Sequence, residues 1–206
     1  VQVHILIDSQ GSGKIPDDIP PIMQDAGCEV KFFRRVEAPQ IFFPWKLLKY
    51  NYPNHRRVLV IGGTGKVGSA LVDALGGEGV DVRVMSRHPG KADASSGVEF
   101  VAGDMNHPDT LTAAFEGVNR CYLLTPLSQN EVELGLNAVE AAREAGVEHI
   151  VFQSVSHARD YPMIPHFASK VRILDRIRES GLSWAALFPT SFYQNDVALR
   201  DLILGP

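Results

Sequence analysis

The sequence predicts an α/β domain built on a largely parallel, doubly wound sheet with helices on both faces. Three observations carry this. From residue 58 onward, short β-branched runs alternate with helical patterns, the rhythm of strands buried on both sides. Gly76, Gly117, Gly146 and Gly181 each fall just past a helical pattern, where a left-handed C-cap is expected. A glycine-rich turn separates the first of these strands from the first helix.

In chain order, residues 58–61 form an apolar strand run, and 66–75 carry helical spacing through Val67, Leu71 and Leu75. Strands follow at 80–85 and 98–101, then a short helix at 110–115 and a strand at 120–124. The segment 130–145 is helical, with Leu136 and Val139 on one side. A strand at 150–152, a helix at 170–179 and a strand at 183–188 complete the series. Residues 58–206 form this domain, and 1–57 read as an N-terminal extension: a small α/β appendage ending in a linker at 52–57. The extension offers two short strands, 3–7 and 29–33, around a segment at 19–26 that Pro20 and Pro21 allow to be helical only at its start.

Composition bounds the function. The 206 residues are 45% hydrophobic and 21% charged, enough for one well-packed domain with an appendage and incompatible with wholesale disorder. Charge is uneven, about +2 over residues 1–57 and −6 over the rest. The net −4 argues against a nucleic-acid-binding face. Cys28 and Cys121 form neither a disulfide framework nor a CxxC pair, so a reducing, cytoplasmic setting is expected. No apolar run approaches the roughly 20 residues that span a bilayer, and residues 1–6 lack a signal-peptide pattern; no membrane association is expected. The aromatic stretch 41–50 reads as a cover for the main core in preference to a membrane-surface patch. The histidines are scattered without a metal-binding cluster, and there is no GxSxG nucleophile elbow.

The sharpest local signal is Gly62-Gly-Thr-Gly-Lys-Val-Gly68, placed after a strand and opening a helix. Gly62 permits the tight turn, Gly65 lets the backbone approach a pyrophosphate, and Gly68 allows close helix–sheet packing. The amides of Thr64, Lys66 and Val67 add to an anion site at the helix N-terminus. The next strand ends in Ser86-Arg87, with Lys91 beyond. A carboxylate there would bond a ribose diol, whereas Arg87 and Ser86 suit a 2′-phosphate, so NADP is expected over NAD. Asp104 can bond an adenine amine or cap the helix that follows. Gly11-Ser-Gly-Lys14 resembles the tail of a P-loop, but Asp8 stands where the first glycine belongs and Ile15 where Ser or Thr would hold magnesium,.

Ligands in such sheets lie beyond the carboxyl ends of the strands, which singles out Thr125, Ser154 and residues 189–195. His166 and Lys170, four apart, share a helical face. Lys170 can bond a nicotinamide ribose, Ser154 can steady a carbonyl, and His166 can exchange a proton or simply pack.

These ordered pieces, with Val151-Phe-Gln-Ser154, His166-Phe-Ala-Ser-Lys170 and Leu187-Phe-Pro-Thr-Ser-Phe-Tyr-Gln-Asn195, resemble the NmrA-like family of atypical short-chain dehydrogenases/reductases over roughly residues 57–200. The resemblance implies a Rossmann domain that binds NADP(H) and a carboxyl-terminal substrate lobe, here short or missing, with Phe192 and Asn195 as substrate contacts. Against the YxxxK pair of ordinary short-chain dehydrogenases, Lys170 matches the lysine, Ser154 lies near the serine, and His166 takes the tyrosine position. The family contains reductases of quinones, imines or activated double bonds and NADP(H)-sensing regulators. The expectation is therefore a reductase of a small-molecule electrophile; the alternative is a sensor with a regulatory protein partner, and a homo-oligomer is also a candidate.

Overall fold

The computed structural model describes residues 3–8, 28–32, 57–89 and 97–190. Lys91, Phe192, Asn195 and the 41–50 stretch lie outside the described residues. The strands are β1 (Val3–Asp8), β2 (Cys28–Phe32), β3 (Arg57–Ile61), β4 (Asp81–Ser86), β5 (Glu99–Ala102), β6 (Arg120–Leu123), β7 (His149–Gln153) and β8 (Ser183–Pro189). The helices are α1 (Lys66–Gly77), α2 (Leu111–Phe115), entered through a 3₁₀ turn at Pro108–Thr110, α3 (Glu131–Glu144) and α4 (Pro165–Glu179).

Among the described residues the eight strands join one sheet in the order β2-β1-β8-β7-β6-β3-β4-β5. The six from β3 to β8 are mutually parallel, and their order is that of a Rossmann sheet. β1 and β2 form an antiparallel pair added to β8, with Val3 opposite Pro189 and Ile7 opposite Ala185. The two strands expected in the extension thus lengthen the main sheet and occupy what would otherwise be an open edge at β8.

Alternation along β3 shows why its run is continuously apolar. Leu59 and Ile61 join one core layer with Leu111, Phe115, Val139, Ile173 and Ile177 from α2, α3 and α4. Val58 and Val60 point to the other face and pack with Leu71, Val72 and Leu75 of α1. Full burial of one such side chain contributes about 1.5–3 kcal/mol, and a strand covered by helices on both faces gains it at every position.

Several boundaries differ from expectation. α1 runs on to Gly77, and the positive-φ residue is Gly79, not Gly76. The reason is the closing bonds: Val80 N–H reaches the Leu75 carbonyl and Gly79 N–H the Gly76 carbonyl, a Schellman-like end that needs the left-handed residue later. α4 starts at Pro165 rather than 170, since a proline at the first helical position sacrifices no intrahelical bond. On α3 the buried stripe is Leu134, Ala138, Val139 and Ala142, and Leu136 is only half-buried.

One buried charge is structural. Arg83, within β4, makes a two-pronged pair with Glu99 of β5 at 3.0 and 3.1 Å. Its remaining arm donates to the carbonyls of Ala114 and Glu116 at 3.1 and 2.7 Å, satisfying the C-terminal end of α2. Among the described residues no helix is long and apolar enough to cross a membrane, and no cluster of His, Cys, Asp or Glu is arranged to hold a metal ion.

Candidate functional site

The strand order reverses between β3 and β6: β4 and β5 lie on one side of β3, and β6, β7 and β8 on the other. Loops leaving the carboxyl ends of β3 and β6 therefore diverge and open a crevice at the switch point. Gly62 begins the loop after β3 with φ +85°, a conformation that disfavours any side chain. A Cβ there would also sit 3.1 Å from the Leu124 side chain and carbonyl, so this glycine lets the two loops meet. Gly65 N–H closes the turn onto the Gly62 carbonyl at 3.1 Å.

Gly68 is the tightest position. A Cβ on it would lie 2.1 Å from the Gly62 carbonyl oxygen and 2.6 Å from Gly63 Cα, both backbone atoms that cannot step aside. The first helical bond runs from Ser69 N–H to the Gly65 carbonyl at 2.8 Å, and no side chain caps α1. The amides of Lys66, Val67 and Gly68 accordingly have no partner within the helix. Thr64, Gly65 and Lys66 are exposed, so these donors and the positive end of the helix dipole are open to an anion. The residues present fit a pyrophosphate.

At the end of β4, Ser86 Oγ accepts from His88 N–H at 3.1 Å and keeps its own proton to donate. Arg87 is exposed beside it. Asp104, after β5, has its carboxyl held below the usual range chiefly by the Asn106 backbone N–H, then by the Asn106 side chain and the charges of His107 and Arg87. Arg87 and Asp104 therefore act on the same space. Asp104 does not cap the following helix. Thr110 stands at the N-cap position of α2 without a side-chain cap bond; its Oγ1 instead ties the preceding loop, accepting from Asp104 N–H at 2.9 Å and donating to the His107 carbonyl at 2.7 Å.

Across the crevice, the ends of β6 and β7 and the helices α3 and α4 bring a polar cluster together. Thr125 follows β6 and is buried; Lys170, on the second turn of α4, is 2% exposed. Lys170 Nζ donates to Thr125 Oγ1 at 2.7 Å and lies 3.0 Å from Glu131 Oε1. Thr125 in turn donates to Glu131 Oε1 at 2.7 Å. The second carboxylate oxygen, Oε2, lies 2.6 Å from His166 Nδ1. The Phe152 ring covers the ammonium, its centroid 5.3 Å from Nζ,. Burial pushes the Lys170 ammonium below the ordinary lysine range, and Glu131 opposes that shift,. Ser154, just beyond β7, is buried with an Oγ that has no hydrogen-bond partner, although its backbone N–H is fixed to the Leu187 carbonyl at 2.8 Å.

The geometry thus groups Gly62, Thr64, Gly65, Lys66, Val67 and Gly68 into one cradle, and Ser86, Arg87 and Asp104 at its β4–β5 side. Thr125, His166 and Lys170 come together around a carboxylate that sequence reasoning missed. Glu131 is fully buried, yet it is the first residue of α3, where an acidic side chain ordinarily does no more than complement the helix dipole. The faint signal was an acid in a first turn directly after a loop expected to border the crevice.

Residues 54–203 match the NmrA-like family. An NAD(P)H azoreductase of Xenophilus azovorans is 34% identical over 142 residues, which cover 67% of this chain and 49% of that protein. A photosystem II assembly factor, Ycf39 of Trieres chinensis, is 29% identical over 147 residues, covering 66% and 46%. Among solved structures, Citrobacter sp. triphenylmethane reductase complexed with NADP(H) superposes with a TM-score of 0.56 and 26% identity over 62% of this chain and 47% of that one. The chain spans about half the length of these proteins.

Proposed function

The chain belongs to the NmrA-like family, and on that premise we propose that it binds NADP(H) and delivers hydride to a small electrophile such as a quinone or enone. The observation that carries this reading is the glycine cradle at the switch point, where a Gly68 Cβ would overlap the Gly62 carbonyl and the amides of α1 remain open. The azoreductase and triphenylmethane reductase relatives support a reductase class.

In this reading the backbone of residues 62–68 holds the pyrophosphate, with Thr64 and Lys66 at its exposed rim. Arg87 and Ser86 take the 2′-phosphate, joined by Lys91, and Asp104 borders the adenine. Thr125 and Lys170 face the nicotinamide ribose. The unpartnered Ser154 Oγ is free to donate to the acceptor's carbonyl, a bond that strengthens as negative charge develops there. Phe192 and Asn195 contribute to the acceptor pocket. When bound, the reduced nicotinamide supplies the hydride; the chain's own part is to orient the acceptor, exclude water and let His166 provide the proton.

Calorimetric titration of NADPH and NADH against the wild type and Arg87→Ala tests the assignment. NADPH should bind at least about tenfold tighter than NADH, a difference of roughly 1.4 kcal/mol, and R87A should erase the preference. Failure of both nucleotides to bind would reduce the glycine turn to architecture. A second reading, a nucleotide-responsive regulator of a protein partner, draws on the assembly-factor relative. Nucleotide-dependent association with a protein, without turnover across quinone, enone and azo acceptors, would favour it.

A further inference from the structure

We propose that Glu131 is the positioning residue of this site: its carboxylate sets the tautomer and direction of the His166 ring and couples that ring to Lys170. The inference rests on the reductase reading for its consequence in turnover, but not for its geometry.

The chemistry follows from which atoms can donate. A carboxylate only accepts. Glu131 Oε2, 2.6 Å from His166 Nδ1, therefore requires the proton of a neutral ring on Nδ1 and leaves Nε2 as the atom free to exchange protons. Oε1 is engaged on the other side by Thr125 Oγ1 at 2.7 Å and Lys170 Nζ at 3.0 Å. An ammonium only donates, so Lys170 and Thr125 together require an acceptor at Oε1. With both oxygens engaged, and Glu131 fully buried while the His166 side chain is 28% exposed, the carboxylate is fixed from behind and the ring presents itself outward. His166 and Lys170 lie one turn apart on α4, and the same residue of α3 holds both. This is the arrangement by which a carboxylate orients a proton-exchanging imidazole.

Glu131→Gln keeps the shape but splits the two oxygens into one acceptor and one donor. Because Lys170 demands the acceptor, the amide NH₂ is driven toward His166 and must donate to Nδ1. The neutral ring is then expected to carry its proton on Nε2 instead. Long-range ¹H–¹⁵N correlation spectra of the full chain read this directly, with the His166 signals identified by their loss in His166→Asn. The expected result is an Nδ1–H ring in the wild type and an Nε2–H ring in E131Q. A wild-type ring protonated on Nε2 would overturn the proposal whether or not E131Q folds. An unchanged Nδ1–H ring in folded E131Q would overturn it too.

Turnover gives the second readout. Once NADPH binding and an acceptor are in hand, E131Q should lower kcat at least about tenfold while leaving the Kd for NADPH within about threefold. The double variant E131Q/H166N should lose no more than H166N alone, as residues acting as one unit do. Additive losses would overturn the coupling. Absence of nucleotide binding or turnover would instead refute the reductase reading and leave the tautomer result standing on its own.

Discussion

A single added carbon separates two roles within the glycine turn. Gly68→Ala would press Cβ against the Gly62 carbonyl at 2.1 Å, so the backbone of the cradle must move. The expected cost is about 1–3 kcal/mol of stability, read by urea denaturation, together with loss of NADPH binding. Gly65→Ala meets only the Gly62 carbonyl, at 3.4 Å, and Gly65 has an ordinary extended φ of −87°. It should cost less than about 1 kcal/mol yet, if the proposed cofactor site is right, still weaken NADPH by tenfold or more, because its Cβ would intrude on the proposed path of the pyrophosphate. The turn itself was legible because its requirements are local. Glu131 was not: an acid at a helix start is commonplace, and its partners His166 and Lys170 stand in another helix, the first of them 35 residues away.

At the scale of elements, α3 and α4 pack through a contact that sequence pattern does not announce. A Cβ on Gly135 would lie 2.4 and 2.5 Å from Ile173 Cδ1 and Cγ1, and Ile173 is fully buried with nowhere to retreat. Alanine normally improves a helix interior by about 1 kcal/mol over glycine. Here Gly135→Ala should instead destabilise by about 1–2 kcal/mol, since overpacking costs more than the propensity gain. Ile173→Ala should relieve the clash, so G135A/I173A should be less destabilised than the sum of the single variants in a denaturation cycle. At the surface the same two helices are bridged by Arg176 of α4 and Glu140 of α3 at 2.7 Å, and Arg143 also pairs with Glu140. Those exposed pairs add little. It is the glycine that lets α4 come near enough for Lys170 and His166 to share Glu131.

The whole molecule has an acid-sensitive term far from the crevice. His149 opens β7 at the amino-terminal end of the sheet, where burial, followed by the charge of Arg120, pushes its imidazole down to about 4. Its Nδ1 lies 2.9 Å from Ser183 Oγ, and the folded chain keeps the ring neutral. Between pH 6.5 and 4 the unfolded chain takes up a proton that the folded chain refuses. The folded state should thus lose stability as the pH falls through that window and hold it in full above it. Urea midpoints measured from pH 7 to pH 4 should fall less steeply in His149→Gln than in the wild type; equal slopes would exclude His149 as the source.

Chain neighbours were enough to read the alternation of strands and helices, the positive-φ glycines at 117, 146 and 181, and the tight glycine turn between β3 and α1, because each depends on periodicity or on one residue's backbone freedom. The joining of the N-terminal strands to β8 and the Glu131 carboxylate shared with His166 and Lys170 could not be read that way. Each depends on which distant segments the sheet order brings within about 3 Å. Burial then gives those contacts their strength, since a carboxylate removed from water must be met by every donor around it.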